Sequence, residues 1–122
     1  MKKVLIVESE EEQALITAAA VNALGFEPII LQPGQLLAVV FIELNPDIVI
    51  IYRKFFIKNR QLFIEGEDRL SDAYLIITSG AFLTPERVRE LGADRYLRKP
   101  FQAEDVEAAI TEYKVKYSSG VN

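Results

Sequence analysis

Three short runs of consecutive apolar residues constrain this chain more than any other feature. They are Val4-Leu5-Ile6-Val7, Ile48-Val49-Ile50-Ile51 within Asp47 to Tyr52, and Tyr74 to Thr78. Each is only four to six residues long, rich in β-branched side chains, and lacks the polar alternation of a strand with one wet face. Such runs read as strands buried on both faces, the pattern of a parallel sheet covered by helices. Parallel neighbours need crossover connections of a dozen or more residues, and the intervening sequence has helical signals of that length.

The first crossover is a helix with Ser9 as its expected N-cap, Glu10, Glu11 and Glu12 in the turn where the helix dipole favours negative charge, and Gly25 closing it after Leu24. Glu27 to Gln32 is a second strand, and Pro28 within it suits a sheet edge. Pro33-Gly34 turns the chain into a helix from Gln35 to Leu44, ended by Asn45-Pro46. Asp47 to Tyr52 is the most hydrophobic strand and belongs at the sheet centre. From Arg53 to Asp72 the reading is a loop, with one short helix around Gln61 to Leu70 interrupted by Gly66. After the Tyr74 strand, Thr84-Pro85-Glu86 combines a cap, a first-position proline and a first-turn acid, and Gly92 ends the helix they start. Ala93 to Leu97 is a fifth strand. Gln102 to about Tyr117 is a final helix with Val106, Ala109, Ile110 and Tyr113 on its inner face, and residues 118–122 read as a frayed tail outside a single domain of residues 1–117.

The expected fold class is therefore α/β: a doubly wound, five-stranded parallel sheet with right-handed crossovers and strand order 2-1-3-4-5. In such sheets the functional crevice lies at the carboxyl ends of strands 1 and 3, where Glu8, Ser9 and Tyr52 meet Thr78 and Lys99 from the ends of strands 4 and 5.

Composition narrows the chemistry. The 122 residues hold 14 Lys plus Arg against 18 Asp plus Glu, a net charge of −4, and contain no His, Cys or Trp. An acidic chain has the wrong sign for a general nucleic-acid binder. Thiol nucleophiles, disulfides, Cys/His zinc sites and histidine bases are all excluded. Met1-Lys2-Lys3 precedes only four apolar residues, too few for a signal peptide or membrane span, so a cytoplasmic protein without membrane attachment is expected. There is no GxxxxGK[ST] and no GxGxxG, and with no nucleophile or metal cage beside Glu8 and Lys99, an enzyme is not expected.

Four segments in order, Lys3-Val4-Leu5-Ile6-Val7, Pro46-Asp47-Ile48-Val49-Ile50-Ile51, Ile76-Ile77-Thr78-Ser79 and Gly92-Ala93-Asp94-Arg95-Tyr96-Leu97-Arg98-Lys99-Pro100-Phe101, resemble the receiver domain of two-component response regulators. The resemblance covers nearly the whole chain and implies the flavodoxin- or CheY-like (βα)5 fold. It also implies a cis Lys99-Pro100 bond, and roles for Thr78 and Lys99 as phosphoryl contacts and for Tyr96 as a switch aromatic. The family uses two acids after strand 1 and an aspartate ending strand 3 to hold Mg²⁺ and accept the phosphoryl group. Here those positions are Glu8, Ser9 and Tyr52. One carboxylate with a hydroxyl and a phenol is a poor cage for a hard cation, and a phenol cannot form an acyl phosphate. Mg²⁺ binding is expected to be lost or very weak, and no other cofactor is implied.

The expected pocket is degenerate: Glu8 pairs with Lys99, and the Tyr52 ring fills the space of metal and phosphoryl group. The functional reading is a pseudo-receiver that acts by protein contact. The resemblance places its partner face on Arg87, Arg89, Glu90, Tyr96, Arg98, Phe101 and Glu104. The alternative is a sensor of a small anion or metabolite held by Arg53, Lys54 and Lys99 with Ser9 and Thr78. A third reading is an active receiver with an unusual acceptor. The second helix, Leu36-Leu37-Ala38-Val39-Val40-Phe41-Ile42, is apolar nearly all round; either the following loop with Phe55 and Phe56 covers it or it meets a partner, including a second copy in a homodimer.

Overall fold

A computed structural model describes residues 2–64 and 73–119 of the chain, the side chains of residue 64 and of 115–119 excepted. Five strands, β1 (Lys3–Val7), β2 (Glu27–Ile30), β3 (Ile48–Tyr52), β4 (Tyr74–Ser79) and β5 (Arg95–Arg98), form one parallel sheet in the order β2-β1-β3-β4-β5. The interleaved helices are α1 (Glu11–Ala23), α2 (Leu37–Leu44), α3 (Arg53–Lys58), α4 (Gln61–Ile64), α5 (Pro85–Leu91) and α6 (Ala103–Ser119).

The period-two geometry of strands sorts the apolar runs into two cores. Val4 and Ile6 of β1, with Ile48 and Ile50 of β3, face Val21 of α1 and Val106, Ala109 and Ile110 of α6. Leu5 and Val7, with Val49 and Ile51, face Phe41 of α2, Phe56 of α3, Phe63 of α4 and Leu91 of α5. All of these except Val7, Phe63 and Leu91 are at most 2% exposed, which explains why the runs lack polar alternation. The register Leu5 to Val49 to Leu75 aligns the central strands. Two aspartates tie the strand starts: Asp47 Oδ2 accepts from Lys3 N–H and Asp94 Oδ2 from Leu75 N–H, each at 2.8 Å. Lys2 Nζ donates to the Tyr113 hydroxyl at 3.3 Å, a bond that raises the ammonium above its ordinary pKa.

Several local expectations need correction. Ser9 does not cap α1. Glu10 is the N-cap without a side-chain cap bond, and the Glu8 carboxylate accepts Glu10 N–H instead, at 3.0 Å. At the other end Gly25, at φ +88°, closes the helix as expected, with Gly25 N–H on Asn22 C=O and Phe26 N–H on Val21 C=O. α2 starts at Leu37 rather than Gln35, whose side chain is used in a turn with Gln32 N–H. Thr84 Oγ1 accepts Arg87 N–H at 3.1 Å, and Gly92 ends α5 at φ +86°, both as the sequence suggests. The basic, aromatic run after Tyr52 is helix α3, not a loop, because Phe56 is fully buried on the second core and helical spacing brings Phe55 back over Tyr52. The expected helix from Gln61 ends its described part at Ile64; residues 65–70 of that expectation lie outside the described residues. β5 begins at Arg95 rather than Ala93. α6 continues through Ser119, and residues 120–122 of the expected tail are outside the described residues. The Lys99-Pro100 bond is cis.

Candidate functional site

The carboxyl ends of β1, β3, β4 and β5 converge because parallel strands all point the same way. Glu8 directly follows β1, Tyr52 ends β3, Thr78 is its direct partner in β4, and Lys99 follows β5, its N–H bonded to Ser79 C=O at 2.8 Å. Lys99 Nζ lies 2.6 Å from Glu8 Oε2 and 3.5 Å from Glu10 Oε1. The two principal partners are well buried, with side chains 15% and 4% exposed. Glu8 Oε2 also accepts the Glu10 N–H and the Ser9 hydroxyl, the latter at 3.4 Å. One carboxylate oxygen thus serves three donors, and Lys99 has the counter-ion that a buried ammonium requires.

Tyr52 does not fill the pocket. Its ring stacks on Phe55, centroids 5.7 Å apart and planes 19° apart, and lies 5.8 Å from Lys99 Nζ. Beside it a hollow of about 420 Å³ remains open, lined by Ser9, Glu10, Tyr52, Arg53, Lys54, Thr78, Ser79, Gly80, Ala81 and Lys99. Within it, Thr78 is 1% exposed and its Oγ1 has no hydrogen-bond partner among the described residues. The structure therefore gathers Ser9, Tyr52, Arg53, Lys54, Thr78 and Lys99 around one cavity, with Glu8 behind Lys99. Tyr96 stands beside it: half-buried, with its hydroxyl donating to Ala81 C=O at 2.7 Å, it ties β5 to the loop that follows β4.

These residues do not fit a Mg²⁺ ion. A hard cation needs several free oxygens in near-octahedral array. Glu8 Oε2 is held by Lys99, Ser9 and the Glu10 amide, and among the described residues no group of three His, Cys, Asp or Glu is placed to hold a metal.

Two contributors were missed. Glu10 reads as helix-dipole charge, yet it reaches Lys99. Phe82 is 66% exposed, with Arg98 Cζ 6.0 Å from its ring centroid. An aromatic among small residues, Ser79-Gly80-Ala81-Phe82, was the available signal for it. On the expected partner face, Arg87, Arg89, Glu90, Arg98 and Glu104 are exposed. Arg87 pairs with Glu90 at 3.2 Å and Arg89 with Glu86 at 3.9 Å, both solvent-exposed. Phe101 does not belong to that face: at 4% exposed it packs in the first core with Val106 and Ile110.

Among the described residues no helix is long and apolar enough to cross a membrane. No protein-family model matches the sequence, and no curated protein does. Solved structures do resemble it. The chemotaxis protein CheY4 of Vibrio cholerae has a TM-score of 0.72 at 18% identity, over 92% of this chain and 98% of that one. An orphan response regulator of H. pylori gives 0.67 at 20%, over 88% and 95%. An atypical orphan response regulator, described as revealing a phosphorylation-independent regulatory mechanism, gives 0.67 at 20%, over 89% and 95%. The fold is thus that of CheY-like response-regulator receiver domains.

Proposed function

We propose that this chain is a pseudo-receiver: a non-enzymatic, cytoplasmic signalling module of two-component type that works by protein contact without taking a phosphoryl group. The observation that carries this reading is the 2.6 Å contact between Lys99 and Glu8, made where the family would hold a metal, with the phenol of Tyr52 where it would hold the acceptor acid. The partner face comprises Arg87, Arg89, Glu90, Tyr96, Arg98 and Glu104, with the ring of Phe82 in place of Phe101. Tyr96 is the anchor, since its bond to Ala81 fixes the loop on which Phe82 stands. Acetyl phosphate with Mg²⁺ leaves the mass at 13.8 kDa and leaves capture of the partner unchanged, while Tyr96→Ala combined with Arg87→Glu lowers that capture. An added phosphoryl group, or capture indifferent to the double substitution, contradicts the proposal.

A second reading, a sensor of a small anion, is favoured by the open hollow and the unpartnered Thr78 hydroxyl inside it. Arg53 and Lys54 would supply charge that Lys99, already paired, does not. Phosphate, sulfate and nucleotides raise the melting temperature in proportion to the logarithm of their concentration if this reading holds, and Arg53→Ala with Lys54→Ala removes the rise. A flat thermal-shift series rejects it.

A further inference from the structure

We infer that the outer side of α2 is a self-pairing interface, which brings two copies of the chain together antiparallel about Val39. Along this helix Leu37 and Phe41 point into the second core, and Phe41 meets Phe63 with ring centroids 5.2 Å apart. Phe56 is fully buried in that same core and leaves the outer side of the helix uncovered. The exposed positions from Leu36 to Ile42 are Leu36, Val39 and Ile42, all apolar, at 70%, 47% and 64% exposure. A helix apolar on both sides has more to bury than its own sheet accepts.

The chemistry of the surroundings selects the occupant. From Glu27 to Tyr52 there is no Lys or Arg, and Glu43 and Asp47 are the charges closest to the stripe along the chain. Anionic lipid is disfavoured, since interfacial helices rely on flanking basic residues. An acidic partner finds no cation on α2 itself. A second copy, by contrast, finds a patch that matches itself. The spacing 36, 39, 42 is symmetric about Val39, so a two-fold axis there sets Leu36 of one copy against Ile42 of the other and Val39 against Val39. The same axis sets Glu43 near Gln35 of the other copy, avoiding a like-charge clash. Gln35 Oε1 is already used by Gln32 N–H at 2.7 Å, which leaves its NH₂ to donate to that carboxylate. A net charge of −4 opposes pairing through the acidic faces and leaves this uncharged strip the least repulsive meeting place. Three side chains per copy make a small interface, below the roughly 1,200 Å² of standard complexes, so the pairing is weak, with Kd on the order of 100 μM.

Sedimentation equilibrium of the full chain tests this between about 10 μM and 1 mM, a range set by that affinity. The wild type moves from monomer toward dimer mass. Val39→Arg, which opposes two like charges at the axis, weakens association at least tenfold while the circular dichroism spectrum and melting temperature stay close to wild type. Leu36→Lys and Ile42→Glu each weaken it alone; placed together in one chain they restore it, because the axis pairs each with the other across the interface. A wild type that stays monomeric throughout overturns the inference. So does a dimer indifferent to Val39→Arg, or a double variant no better than its parents.

Discussion

Glu8→Leu is expected to destabilise the chain by about 3 kcal/mol, and adding Lys99→Met is expected to return most of that loss. The asymmetry comes from burial. Lys99 is 15% exposed and Glu8 4%, so removing the carboxylate leaves a largely buried ammonium without its main counter-ion. Glu10 still reaches Lys99 at 3.5 Å, which keeps the loss at the low end for a broken buried pair. Replacing both groups by apolar side chains removes the stranded charge along with the attraction, and such exchanges are often nearly neutral. Urea unfolding of the two single variants and the double closes the cycle. If the double variant is as unstable as Glu8→Leu alone, the contact is not the pair described above. Against the 5–15 kcal/mol typical of a small domain, 3 kcal/mol is a large effect.

Phe56→Ala is expected to cost about 3–5 kcal/mol. Its ring is fully buried, 5.5 Å from Phe63 by centroid, and joins α3 and α4 to the core that β1 and β3 present. Truncation leaves a hole that a six-residue helix cannot fill by itself. Because α3 is too short to be stable without packing, the substitution also unpins Phe55 from Tyr52. Amide exchange of residues 53–58 should accelerate with the loss of stability. A change under about 1 kcal/mol would mean that the ring is not the anchor of α3.

The sheet was legible because doubly buried strands leave an unmistakable apolar signature, and the strand order followed from chain length and alternation. The Glu8–Lys99 contact was legible for a different reason: a lysine brought to the strand ends needs a counter-ion, and Glu8 was the nearest acid at those ends. What local sequence concealed was α3. Arg53-Lys54-Phe55-Phe56-Ile57-Lys58 has no capping residue, and β3 runs straight into it with Tyr52 as an uncapped N-cap, so no start signal marks the helix. Burial of Phe56 holds the helix in place of a cap. The error propagated to the pocket, since only a helix returns Phe55 to stack on Tyr52, and that stack draws the phenol aside and leaves the hollow open. Ser9 misled in a similar way. A serine ahead of three glutamates resembles a cap, but the helix begins one residue later and the Ser9 hydroxyl is donated to Glu8. Phe101 was placed outside by resemblance alone, although an apolar ring just ahead of Val106 and Ile110 has an inner core within reach.

Glu8 and Lys99 are 91 residues apart in the chain, and β1 and β5 are separated in the sheet by β3 and β4. A ribosome making this protein releases the glutamate early and its counter-ion only 91 residues later. Until then Glu8 lacks the ammonium that it meets in the finished sheet, because β5, which delivers Lys99, has yet to pair with β4. Closure of that link thus waits until β3, β4 and β5 have all been made.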